Sequence, residues 1–127
     1  MRNYAYYIKR ILILLIGIGW AWFGLVSGPV QSVTFLDIFK NWPNALPGII
    51  IIISALIAWF KETIGGLLLF LEGIIVLIGY PVLAYGYFSN KSIIIVVCTL
   101  ALPAVLIGVL FMKNKTSDDN HNFRKRI

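Results

Sequence analysis

One cysteine, one histidine and five carboxylates are all that this 127-residue chain offers to the commoner kinds of side-chain chemistry. A lone cysteine, Cys98, excludes a disulfide within the chain and leaves the redox compartment unread. His121 stands by itself in a polar tail, without the neighbours a metal site needs, and is read as a solvated histidine. There is no nucleophile elbow, no phosphate-cradling glycine loop and no metal-ligand spacing. No enzyme activity, cofactor or metal is therefore expected, and outside the apolar runs only short tails and loops remain. Acidic charge is scarce as well, with 5 Asp and Glu against 11 Lys and Arg, a net charge of +6.

What the chain has in abundance is apolar surface. It is 60% hydrophobic, against roughly 45–50% in ordinary soluble domains. Its mean hydropathy is +0.90. Ile11 to Val30 and Asn41 to Phe60 are each 20 residues without a charge, and Ser92 to Met112 is 21. Thr63 to Asn90 is 28 residues, interrupted only by Glu72. A bilayer core takes about 20 mostly apolar residues as helix, so four spans fit. Helices are required because lipid cannot satisfy exposed backbone groups. A barrel would alternate apolar and polar positions, whereas "GIIIIISALIAWF" and "SIIIVVCTLALPAVLIGVLFM" are apolar on every side.

The expected fold is all-α, a polytopic membrane protein built as an antiparallel four-helix bundle over residues 1–112. Its helices are expected at about 7–27, 45–60, 64–88 and 93–112, followed by a polar, disordered tail over 113–127. Gly28-Pro29 is expected to end the first helix. Val26-Ser27-Gly28 resembles a signal-peptide cleavage site, but the proline after it opposes cleavage and the apolar run is too long. The first span is therefore read as permanent. Asn44 and Thr63 are candidate N-caps for the second and third helices. Phe35 to Asn41 mixes apolar Phe35, Leu36, Ile38 and Phe39 with polar Asp37, Lys40 and Asn41. It reads either as a short interfacial helix on the outer leaflet or as a greasy loop.

The basic residues give the orientation. Arg2, Lys9, Arg10, Lys61, Lys113, Lys115, Arg124, Lys125 and Arg126 fall on one side of the spans, and only Lys40 and Lys91 on the other. Both termini are expected in the cytoplasm. The same asymmetry explains the net charge, so a nucleic-acid partner is not expected. The bilayer itself, a protein partner in the membrane and further copies of the chain remain.

Glu72 is the candidate site. A charge in mid-membrane costs about 2.5–3.5 kcal/mol on insertion scales, so the carboxyl is expected to be paired or to hold its proton. Gly65, Glu72, Gly79 and Gly86 recur every seven residues, which returns a helix to within about 20°. Small residues mark close helix approach in membranes, so Glu72 is expected to face a helix and the three glycines to pack. Counting from the inner turn near Lys61–Thr63 puts Ser54 level with Glu72. Similar counting puts Gly19 and Trp20 of the first helix, and Gly108 of the fourth, at that depth. Ser54 and Trp20 are thus candidate hydrogen-bond partners. Two roles stay open: a neutral fastener in an accessory subunit, or a proton- or cation-coupling carboxylate in an oligomeric transporter.

The stretch "ALPGIIIIISALIAWFKETIGGLLLFLEG" resembles a group of small prokaryotic integral membrane proteins of unknown function. The pattern is a proline-capped apolar helix, a short charged turn, then Ile-Gly-Gly opening the next helix. It spans roughly Ala45 to Pro81 and implies a plasma-membrane location without an activity. In size and in having one membrane glutamate the chain is also similar to the small multidrug resistance exporters, which work as dimers. Their acid lies in the first helix, whereas Glu72 lies in the third.

Overall fold

The computed structural model describes residues 2–27 and 34–126, with side chains at all of these except 2, 3, 114–122 and 126. Every regular element is helical: α1 (Arg2–Val26), α2 (Phe35–Lys40), α3 (Trp42–Phe60), α4 (Glu62–Ala84), α5 (Asn90–Val96) and α6 (Leu102–Arg126). One π-helical turn, Val97–Ala101, joins α5 to α6. Among the described residues, four stretches are long and apolar enough to cross a membrane: Tyr4–Val26, Trp42–Phe60, Glu62–Ala84 and Asn90–Lys113. At about 1.5 Å per residue, even the shortest, of 19 residues, reaches roughly 28 Å, close to the hydrocarbon thickness of about 30 Å.

The chain divides into two compact units, Met1–Ile53 and Ser54–Ile127. In the first unit, α1 and the opening turns of α3 run antiparallel. Gly17 lies against Gly48, Ile51 and Ile52, and Gly24 against Asn44 and Ala45. Ile13, Ala45 and Ile51 are buried there. Arg10 donates to the Tyr6 hydroxyl one helical turn back, with its guanidinium carbon 3.6 Å from the centre of that ring. In the second unit, α4 and α6 run antiparallel. Gly66 sits against Gly108 and Phe111, and Gly73 against Ala101 and Val105. Leu69, Leu100, Ala104 and Phe111 form the core.

Several helix boundaries differ from the sequence expectation, each for a local reason. Helix α1 begins at Arg2 because nothing in "RNYAYYIKR" breaks a helix. Helix α3 begins at Trp42 rather than after Asn44, and Pro43 sits in its first turn, where its missing N–H costs nothing. Lys61 alone separates α3 from α4, so Glu62 and not Thr63 opens α4. Helix α4 stops at Ala84, four residues early. Tyr85 (φ −60°, ψ 125°) and Gly86 (φ 88°) have the dihedrals of a type II turn, closed by the Tyr87 N–H donating to the Ala84 carbonyl at 3.1 Å. That turn needs positive φ at its third residue, which glycine supplies without strain.

Ser89 then caps α5, its hydroxyl accepting from the Ser92 N–H at 3.3 Å. The π turn precedes Pro103, which has no N–H and whose ring crowds the carbonyl four residues back. Widening the helix there relieves that conflict. The Thr99 hydroxyl takes up the Ile95 carbonyl at 2.6 Å. Finally, α6 does not stop at Met112. Its backbone stays helical to Arg126, because Lys113 to Arg126 contains neither glycine nor proline to end it. Gly28-Pro29, expected to end the first helix, and the last residue of the Val26-Ser27-Gly28 pattern lie outside the described residues.

Candidate functional site

The end of α3 and the start of α4 meet along a seam of small side chains. A Cβ built on Gly65 would overlap the backbone of Ala58, so these two helices touch main chain to main chain. Ala58 is fully buried, and so is Ser54, one turn earlier and 2% exposed. Ser54 and Ala58, four residues apart, share a helix face, as do Gly65 and Glu72, seven apart. The Ser54 hydroxyl donates to Glu72 Oε1 across this seam. Counting outward from the turn at Lys61 therefore gives the level at which the two groups meet. The count works because the turn is so tight that both helices start from one residue, Lys61.

The other carboxyl oxygen, Oε2, is shielded from solvent and has no hydrogen-bond partner among the described residues. A serine hydroxyl has a single O–H to give, and Oε1 takes it. A buried acceptor without a donor costs about 1–3 kcal/mol. Oε2 is thus where a proton or a further donor would act. Next to Glu72, and about 100° round the helix, Gly73 faces Val105 and Ala101. A Cβ there would lie 2.5 Å from Val105 Cγ2 and 2.8 Å from the Val105 nitrogen. The carboxyl thus meets a hydroxyl of α3, and the neighbouring Gly73 meets α6.

The other expected members are placed differently. Gly108 does pack, but against Gly66 and Phe70, nearer the Lys61 turn than Glu72. The residues opposite Gly73 are Ala101 and Val105. These pairs fold about residues 87–89, at and just after the type II turn, rather than about Ser89–Asn90. Gly79 lies in α4 with open space where a Cβ would be, among the described residues. Seven-residue spacing sets direction but not distance, and helices that cross at an angle stay close for only a few turns. Gly86 is a turn residue beyond the helix, not a packing one. Gly19 likewise meets open space, and Gly17 and Gly24 make the close approaches of α1. Trp20 belongs to the first unit, where its ring meets Phe23 edge-on at 5.5 Å.

Sequence reasoning missed Gly66 and Gly73, which form the stripe facing α6. The signal was present: they too are seven apart, one residue on from Gly65 and Glu72, with buried Leu69 between the two stripes. Among the described residues, no group of three His, Cys, Asp or Glu comes together. Cys98 is exposed and unpaired.

No curated protein and no solved structure matches this chain. The family match covers residues 1–125, so the chain belongs to the family described as a domain of unknown function (DUF7670).

Proposed function

We propose that the protein is a small, non-enzymatic, multi-pass subunit of a prokaryotic plasma membrane, with both termini in the cytoplasm, acting as a structural or accessory component. The carrying observation is the Ser54–Glu72 hydrogen bond inside a seam of small residues. It supports a role for Glu72, the acid in the middle of α4, as a fastener between helices. Four apolar stretches of spanning length support the membrane location. Nine of the eleven basic residues lie on one side of the apolar runs of the sequence, which supports the orientation. The surroundings of such a subunit are lipid, a protein partner or further copies of itself, with no role for nucleic acid.

A second reading is favoured by one specific observation. Glu72 Oε2 has no partner among the described residues, and membrane carboxyls with an open valence are the groups that carry protons or cations in transporters. Replacing Glu72 with Gln separates the two, since it keeps an acceptor for Ser54 and removes the titratable group. The wild type and Glu72→Gln are reconstituted in liposomes with an imposed pH gradient, and each is also recovered in mild detergent from its native membrane. A fastener gives no proton flux from either protein and the same co-purifying partner with both. Flux in the wild type that Glu72→Gln abolishes overturns the accessory reading in favour of transport.

A further inference from the structure

Helix α2 carries an apolar arc that the rest of its unit leaves uncovered. At 100° per residue, Phe35 and Phe39 fall on one side of α2, with Leu36 flanking them and Asp37 opposite; Trp42 follows at the start of α3. Phe35 and Leu36 are 74% and 72% exposed, and Phe39 and Trp42 57% and 56%. Asp37, Ile38 and Asn41 are half-buried. The rings therefore turn away from the protein while the polar edge turns toward it. Phe35 and Phe39 also pack edge to face, with centroids 5.3 Å apart.

The height of this arc is fixed. The Asn41 side-chain amide donates to the Leu25 carbonyl at 3.1 Å, tying the end of α2 to the end of α1. Trp42 begins α3 directly. Helix α2 thus sits where one spanning stretch ends and the next begins, the level at which headgroups meet acyl chains. It carries no net charge, because Lys40 pairs with Asp37 at 2.9 Å.

We infer that α2 is an interfacial anchor whose occupant is the outer leaflet itself. Phe35, Leu36, Phe39 and Trp42 are immersed at the boundary between headgroups and acyl chains. The inference rests on the multi-pass reading above, since the leaflet is continuous with the lipid around α1 and α3. Insertion is driven by apolar area, as in other in-plane amphipathic helices. With its one cation paired, the anchor does not depend on anionic lipid or on ionic strength.

The test is spin-label accessibility in the full chain carrying Cys98→Ser, reconstituted in phosphatidylcholine vesicles with and without added phosphatidylglycerol. Single cysteines replace Phe39, Lys40 and, as a reference in mid-span, the exposed Ile75. Relaxation by oxygen, which concentrates in acyl chains, is compared with relaxation by a water-soluble nickel chelate. The expected result is oxygen-dominated relaxation at 75 and 39 and nickel-dominated relaxation at 40, unchanged by phosphatidylglycerol or salt. Nickel-dominated relaxation at 39 with oxygen-dominated relaxation at 75 overturns the anchor and leaves the membrane reading intact. Nickel-dominated relaxation at both overturns the membrane reading and the anchor with it. Dipolar broadening between labels at 39 would assign the arc to a second copy and likewise overturn the inference.

Discussion

Gly108→Ala and Gly79→Ala make the same chemical change on two spanning helices and should have opposite effects. A Cβ on Gly108 would lie 2.7 Å from the Gly66 carbonyl oxygen and 2.7 Å from the Phe70 nitrogen. Ordinary contact begins at 3.4 Å, so the methyl intrudes by more than half an ångström. Both obstacles are backbone and cannot swing aside, so α4 and α6 must separate. Overpacking of this kind costs about 1–3 kcal/mol, and a backbone obstacle belongs at the upper end. Alanine recovers about 0.8–1.0 kcal/mol of helix propensity over glycine. The net expectation is a loss of about 2 kcal/mol. At Gly79 there is no obstacle among the described residues, so only the propensity gain of up to about 1 kcal/mol remains. The two variants should differ by about 3 kcal/mol, roughly two orders of magnitude in the folding equilibrium. Unfolding in mixed micelles with increasing dodecyl sulfate, followed by helicity and tryptophan fluorescence, measures the difference. Equal stability of the two variants, or Gly79→Ala being the weaker, would refute the close approach of α4 and α6 at Gly66.

Two further outcomes follow from the turns and the surface helix. Gly86→Ala should destabilise by about 1–2 kcal/mol in the same assay although its Cβ meets nothing, because φ there is 88°. A neutral result would contradict the type II turn after α4. The Lys40 ammonium beside Asp37 holds that carboxyl below its usual 3.8, chiefly by hydrogen bonding. The folded pKa is lowered, so this contribution to stability is present above pH 3.8 and fades as the pH falls through the lower folded value. A carboxyl-carbon NMR titration should place the Asp37 midpoint below 3.8, and Lys40→Met should move it up. An unmoved midpoint would remove the pair.

The spans were legible from composition alone, since runs of 20 apolar residues leave few alternatives. Ser54 was legible because the turn at Lys61 is nearly free of slack, and residue counting then measures depth. The same counting misplaced Gly108, because the connection between α4 and α5 holds a type II turn set by the dihedrals of Tyr85 and Gly86. Gly79 and Gly86 were misread for another physical reason: a heptad of small residues reports where a helix face points, but not how far the neighbour follows it. The helical course of α6 beyond Met112 was hidden because a polar composition says what a segment will not bury, not where its hydrogen bonding stops.

The claim that Glu72 serves as a fastener between α3 and α4 is tested most directly by a double-mutant cycle with Ser54→Ala and Glu72→Leu, read as unfolding free energy in micelles. Ser54→Ala alone leaves a buried carboxyl oxygen without its donor, and adding Glu72→Leu removes that oxygen. The predicted coupling is about 0.6–1.7 kcal/mol, the range found for hydrogen bonds between membrane helices, with the double variant more stable than Ser54→Ala alone. Additive effects, with no coupling between the two positions, would contradict it.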